Sequence, residues 1–365
     1  MLQSCYSAKK CFHTVRWANA HRRNELTRMP QVSNKKKIVE DFRPTASLSR
    51  LLLLILYANI EKTSMSNYKS SHILAETVDA LSEKESLRGI FHLHRDGMPL
   101  PSGEVLKEIV ELSRCILFPG YYGKSTLNPQ TIRYHIGVNL ERLLGLLTDQ
   151  ILAGLCFAEP CEDACDNNET LSAKDRQNAE RIATELIARL PQIRRMLSTD
   201  VVAAYNGDPA ATSHGEIISC YPVIKALINY RIAHELHLLG VPLIPRMLTE
   251  MAHSETGIDI HPAATIGDHF TIDHGTGVVI GATCIIGSNV KLYQGVTLGA
   301  KSFPLDGNGN PIKGIPRHPI IEDGVVIYSN ATILGRVTIG KNSIVGANVW
   351  ITEDVEAGSK KTNKS

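Results

Sequence analysis

From Ile260 to Ile351 a branched apolar residue returns at every sixth position. Ile260, Ile266 and Ile272 form one run, and Ile280, Ile286, Leu292 and Leu298 a second. Ile321, Ile327, Ile333, Ile339, Val345 and Ile351 form a third. Small residues commonly follow: Gly267, Gly281, Gly287, Gly299, Gly340 and Gly346. A period of six belongs neither to a helix, with about 3.6 residues per turn, nor to a strand, which alternates every second residue. It predicts a parallel β-helix, in which each hexapeptide is a short strand plus a corner and three of them close one triangular coil. The apolar residue then points inward and stacks on its copy one coil away, and the small residue turns the corner, where a Cβ is strained. A run of ordinary strands is a poor account of so regular a register. The period does not give the hand of the coil.

The chain has 365 residues, enough for two domains with cores of their own. Its net charge of +2 is unevenly spread. Residues 1–64 carry 12 Lys and Arg against 4 Asp and Glu, so +8; the remainder carries 27 against 33, so −6. The body is therefore mildly acidic and lacks the basic face that nucleic-acid binding requires. The basic first segment includes Lys35-Lys36-Lys37, and its apolar stretch Leu51 to Ala58 is too short to span a bilayer. Residues 1–64 are expected to be a disordered or leader-like extension, with folded protein beginning at Met65. The eight cysteines show no paired framework. Cys156, Cys161 and Cys165 lack the CxxC pair or the second cluster of a zinc site, so reduced thiols in a cytoplasmic protein are expected.

Residues 65–250 read as an α-helical domain, which with the coil gives an α + β chain. Val105, Ile109 and Leu112 form one helical stripe, and Leu140, Leu143, Leu144 and Leu147 another. Ser172 to Asp175 reads as a capping box. Behind it Ala179, Ile182, Ala183, Leu186, Ile187 and Leu190 keep helical spacing until Pro191, which predicts an interruption. A turn at Asn206-Gly207-Asp208-Pro209 precedes a last helix with Pro222 in its first turn. Bundles this rich in apolar stripes suit a subunit contact. The coil is expected over 251–355, followed by a short tail at 356–365. It has one large interruption, loop 300–317, whose length and Arg317-His318-Pro319 exit point to a functional role.

Charge is scarce inside the repeats, so its exceptions are candidates for chemistry: Asp259, His261, Asp273-His274 and Arg317-His318. Asp259 and Asp273 are fourteen residues apart. With a coil of about eighteen, a carboxylate of one coil is expected to reach the imidazole of the next. Such a pair makes a histidine base, one ring nitrogen donating to the acid and the other free to take a proton. The same residue types also serve as ordinary surface groups at coil corners. His234 and His237 lie on a mixed helical face and are assigned no chemistry.

Four segments in order, Asp259 to Gly267, Asp273 to Gly281, Tyr293 to Gly299 and Arg317-His318-Pro319, resemble the serine O-acetyltransferases. These are hexapeptide acyltransferases with a left-handed parallel β-helix. The resemblance covers about residues 200–355, including the turn Asp208-Pro209-Ala210. The segments from Phe91 to Gly97 and from Phe118 to Tyr122, with the long loop, resemble the branch with a longer helical domain. What the resemblance implies is transfer of an acetyl group from acetyl-CoA to the hydroxyl of L-serine, giving O-acetyl-L-serine for cysteine biosynthesis. Carried over by position, His274 is the general base and Asp259 orients it. Asp208 and Asp273 hold the serine ammonium, and Arg317 clamps its carboxylate in the bidentate geometry that suits a guanidinium. His318 contacts the carboxylate or assists proton transfer. Backbone N–H groups near Gly299 and Ala300 steady the oxyanion, and acetyl-CoA lies along a groove from about Ala300 to Ser329.

The thioester is already activated, so no metal is expected. The family implies a site shared across a trimer, or a dimer of trimers, and L-cysteine as a feedback inhibitor. The family's complex with the next enzyme, a sulfhydrylase, uses a terminal isoleucine. This sequence ends in Ser365, which argues against that complex and leaves the tail's part in the CoA site open. Neither nucleic acid nor membrane is expected as a partner. The alternatives are a hexapeptide acetyltransferase with a different hydroxyl or amino acceptor, a zinc hydratase using His261, His269, His274 and His318, and a non-catalytic scaffold.

Overall fold

The computed structural model describes residues 55, 58, 70–91, 100–123, 126–158 and 173–362. The basic run, most of the 51–58 patch, the 92–97 segment, Cys161, Cys165 and the capping Ser172 lie outside the described residues. The chain divides into two compact units, Met1–Phe91 and His92–Ser365. The described part of the first is helical over 70–82 and Lys84–Leu87. Among the described residues, no helix is long and apolar enough to cross a membrane.

Among the described residues the second unit begins with six helices: α1 (Gly103–Leu117), α2 (Ile132–Ala158), α3 (Ala173–Gly207), α4 (His214–Cys220), α5 (Pro222–Leu238) and α6 (Ile244–Thr256). Ser102 caps α1 by accepting the Val105 N–H, and its inner face is Leu106, Ile109, Val110 and Leu117. The α3 stripe is buried as its spacing predicts, Ile187 only partly, but Pro191 does not end the helix. Ile193, Leu197 and Val201 continue the buried face beyond it, so packing on both sides outweighs the single amide hydrogen bond that proline removes. α5 starts with Pro222 and is buried on nearly every side from Val223 to Ala233, which makes it the central helix. α6 ends at Gly257, whose φ of 72° turns the chain into the first strand.

From Ile258 the chain winds through fourteen short strands, β1 (Ile258–Ile260) to β14 (Lys360–Lys361). All pair in parallel with the strand one coil away, giving three faces. The first is β1-β4-β7-β10-β13, the second β2-β5-β8-β11, and the third β3-β6-β9-β12-β14. Each of the thirteen periodic residues is buried. So is the position two before it, held by Ala264, Phe270, Cys284, Val290, Val296 and their equivalents. Each hexapeptide thus sends two side chains inward.

The glycines have a different cause from the one expected. The backbone at Gly267 and Gly287 is not left-handed; a Cβ on Gly267 would lie 2.8 Å from the carbonyl carbon of Gly287 in the next coil. The left-handed corner falls two residues later, on His269 (φ 56°), Asn289 (φ 59°), Asn342 (φ 57°) and Asn348 (φ 58°). Asparagine tolerates that region better than most residues. The first coil is also longer than eighteen: Ile258 pairs with Val278 and Thr271 with Lys291, a repeat of twenty. The two extra residues fall in the corner that follows Asp273.

A buried ion pair fastens the helices to this coil. Asp200 of α3 accepts two hydrogen bonds from Arg231 of α5, at 2.8 and 2.9 Å, and one from the Phe270 N–H at 3.0 Å. Arg231 donates in turn to the carbonyls of Ile266 and Gly267, and Thr199 Oγ1 accepts the His269 N–H. Both charged side chains are almost fully buried, so neither can lose its partner cheaply. Asp200→Ala is predicted to cost about 3–5 kcal/mol in denaturant unfolding by stranding Arg231, whereas the double change Asp200→Leu/Arg231→Met recovers most of that loss.

Candidate active site

The sequence-predicted residues form two groups at two corners of the prism. The first group lies where the third face turns into the first. Asp273 ends β3, and His274 follows it in the enlarged corner with φ 58°, succeeded by Gly275 (φ 96°) and Gly277 (φ 78°). That backbone throws the His274 ring outward, leaving its side chain 74% exposed, with Nε2 3.8 Å from Asp273 Oδ1. Asp208 reaches the same corner from the end of α3 through a tight turn, its Oδ1 accepting the Ala210 N–H at 2.8 Å. The Tyr221 hydroxyl donates to Asp208 Oδ2. That hydrogen bond first, then the Ala210 N–H, with smaller help from Lys291 and His274, holds the Asp208 carboxyl below its ordinary range. Pairing of Leu292 with Ile327 sets Ser329 on this same edge, two coils from His274.

The second group lies where the first face turns into the second. Gly299 ends β7 there, Ala300 opens the long loop, and Arg317-His318 closes it. Thr283 pins the exit: its Oγ1 accepts the backbone N–H groups of Arg317 and His318, and its own N–H donates to His318 Nδ1 at 3.1 Å. Arg336 braces the turn through the carbonyls of Thr283 and His318. Because Nδ1 accepts a hydrogen bond, the proton of neutral His318 resides on Nε2. Burial, then the charges of Arg317 and Arg336, press the His318 imidazole down to about 4. His261 beside it is likewise held at about 4 by burial, then by Arg246 and other neighbours including Arg317. The Arg317 guanidinium lies 5.9 Å from the Phe303 ring, and its Nε has no hydrogen-bond partner among the described residues.

Asp259 is not brought to His274. It stands mid-strand on the outside of the first face, in register with Val279, and its ion-pair partner is Arg246 of α6 at 3.6 Å. The expectation of an acid and a base on successive coils of one chain fails. The fourteen-residue step falls six short of the twenty-residue coil, so the two positions lie at different points on its circumference. Glu250, His253 and Asp259 are the one set among the described residues with metal-ligating proximity; Arg246 already pairs with two of them. His269 is tied to Thr199, away from His261 and His318, and His274 is at the other corner.

Two family models match the coil: "Bacterial transferase hexapeptide (six repeats)" over residues 318–353 and "Hexapeptide repeat of succinyl-transferase" over 277–303. A plasmid-encoded serine acetyltransferase of Synechococcus elongatus is 49% identical over 287 residues, covering 78% of this chain and 89% of that one. The chain belongs to the serine acetyltransferase family. The serine acetyltransferase of Bacillus subtilis is 44% identical over 161 residues, 44% of this chain and 70% of that one. Serine acetyltransferase 1 of Entamoeba histolytica, crystallised with L-cysteine, superposes with a TM-score of 0.59 at 36% identity, covering 82% of this chain and 99% of that one.

Within this acetyltransferase framework several site neighbours had no signal in the sequence. Tyr221, Thr283, Arg336 and Arg246 become visible only once strand register and helix docking are known. Gly281 is another case, because it leaves the space that the His318 ring fills. Gly281→Ala is predicted to push that ring aside and cut turnover by about 10²-fold, with the thermal midpoint of the coil little changed. Unfolded imidazoles take up protons below about 6.5, whereas His261 and His318 resist down to about 4 in the fold. The unfolded chain binds more protons between those limits, so stability is full above pH 6.5 and declines as pH falls toward 4. Denaturant midpoints across that window are predicted to show a shallower decline in His318→Asn.

Proposed function

We propose that the chain transfers acetyl from acetyl-CoA to the hydroxyl of L-serine, at a site completed by two copies of itself. The observation that carries this reading is the split between the corners. The acids and the exposed imidazole sit at one edge of the first face, and the carboxylate clamp sits at the other. A strand of about 10 Å separates them, too wide for one amino acid to bridge. The outside of that face exposes Val279 and Trp350, apolar surface suited to burial against another copy. Two unlike corners meeting make a heterologous contact, which closes as a ring, and the trimer implied by the family resemblance is such a ring.

In the joined site Asp208 and Asp273 of one copy hold the serine ammonium, while Arg317 of the next grips its carboxylate with a planar fork. His274 Nε2 takes the hydroxyl proton as the serine oxygen attacks the acetyl carbonyl carbon. Asp259 of the neighbouring copy supports the imidazolium, which frees it from having to reach His274 within one chain. The tetrahedral intermediate collapses by breaking the C–S bond, and the departing thiolate recovers the proton from His274. His318, neutral and protonated on Nε2, donates a hydrogen bond to the substrate. The thioester chain runs along the groove between copies, past Gly299 and Ala300 on one side and Ser329 on the other. L-cysteine shares serine's ammonium and carboxylate, so it is proposed to compete for the same cradle. The Entamoeba histolytica enzyme solved with L-cysteine supports that reading.

An acceptor screen tests the proposal: CoA release from acetyl-CoA with serine, homoserine, threonine and aminosugars. Serine is predicted to give the highest kcat/KM, and preference for an aminosugar would overturn the assignment. His274→Ala is expected to lose about 10²–10⁴-fold in turnover while still assembling and binding acetyl-CoA. Arg317→Lys is expected to raise the KM for serine far more than that for acetyl-CoA, since one ammonium cannot replace the fork.

A further inference from the structure

Resting on that reading of the acid pair, we infer that Lys291 is the positioning residue of the amino-acid cradle, joining the helix end that carries Asp208 to the strand that carries Asp273. Lys291 opens β6, in register with Thr271 one coil below. Its ammonium donates to the carbonyl of Gly207 at 2.7 Å and stands 3.2 Å from Asp273 Oδ2. It also lies 4.4 Å from the centroid of the Tyr293 ring, and its side chain is only 16% exposed. Tyr293 is itself stacked flat on Tyr328, with centroids 4.9 Å apart, so the floor beneath Lys291 is rigid.

Three physical consequences follow from these contacts. Gly207 ends α3, and its carbonyl is one of those a helix leaves without an internal partner. A cation donating there is favourable both as a cap and against the negative end of the helix. The residue after this capped carbonyl is Asp208, so the cap fixes where the Asp208 turn departs from the helix. The same ammonium stands against Oδ2 of Asp273, while Oδ1 faces His274, where a substrate ammonium would meet it. Lys291 thus sets the span between the two acids from behind, and it offsets one of their two negative charges. With Arg317 from the neighbouring copy, the completed cradle then carries no net charge, as suits a zwitterion.

The test compares steady-state constants of the intact full chain with those of Lys291→Met, Lys291→Gln, Lys291→Arg and Asp273→Asn. Lys291→Met is expected to raise the KM for serine about tenfold, with the KM for acetyl-CoA unchanged and kcat altered much less. Lys291→Gln, a neutral variant that keeps a polar end, moves the same constant in the same direction and serves if the methionine variant folds poorly. Lys291→Arg retains charge and reach and restores most of the serine affinity, which a merely structural role would not require. An unchanged serine KM in both neutral variants overturns the inference. A lower serine KM also overturns it, because Lys291 would then be competing with the substrate ammonium. Asp273→Asn separates the two layers of the argument. If it raises the serine KM while the neutral Lys291 variants do not, only the role of Lys291 is wrong; if it too leaves serine unaffected, the acid cradle itself is misassigned.

Discussion

Parallel pairing of each strand with the strand one coil away decides where the side chains of the coil can be. A residue shares an edge of the prism with another only if they are separated by a whole number of coils. His274 and Ser329 meet that condition, as do Thr283 and His318 within the other edge. His274 and Arg317 do not. The stacked core enforces the rule: two side chains of every hexapeptide are buried, and a one-residue slip would turn them to solvent. The division of the candidate site between two corners follows directly from the hydrophobic pattern.

The charge distribution follows the same division. The corner with Asp208 and Asp273 is acidic and softened by Lys291, while the corner with Arg317 and Arg336 is cationic, with two imidazoles that burial keeps neutral. In the proposed shared site, opposite charge on the two surfaces would favour the approach of one copy to the next. The buried Asp200–Arg231 pair matters here too, because it seats α3 against the coil and so delivers Asp208 to its corner.

Much of this was legible in the sequence, and the failures have physical causes. The thirteen periodic positions announced the coil because each is large, branched and inward. The second inward position carries no periodic signal, because Ala264, Phe270, Cys284 and Ser343 share no residue type. The enlarged first coil was visible as the step of eight from Ile272 to Ile280, yet an eighteen-residue repeat paired Asp259 with His274 where the chain keeps them apart. The sequence pattern does not tell glycine needed for backbone angle from glycine needed for space: crowding by the next coil excludes a Cβ, and asparagine or histidine takes the left-handed corner. Pro191 predicts a break, but a single lost hydrogen bond does not end a helix packed on both sides of it. Tyr221 and Lys291 act through contacts between elements distant in sequence, which no local pattern displays.

Complementation between two inactive chains tests the shared site most directly. His274→Ala and Arg317→Ala each disable a different corner, so each homo-oligomer is expected to be inactive. Co-expressed and purified as mixed oligomers through two affinity tags, they are predicted to regain serine acetylation, because an intact His274 corner can meet an intact Arg317 corner across the contact. Mixed oligomers that contain both chains and remain inactive would contradict a site built from two copies.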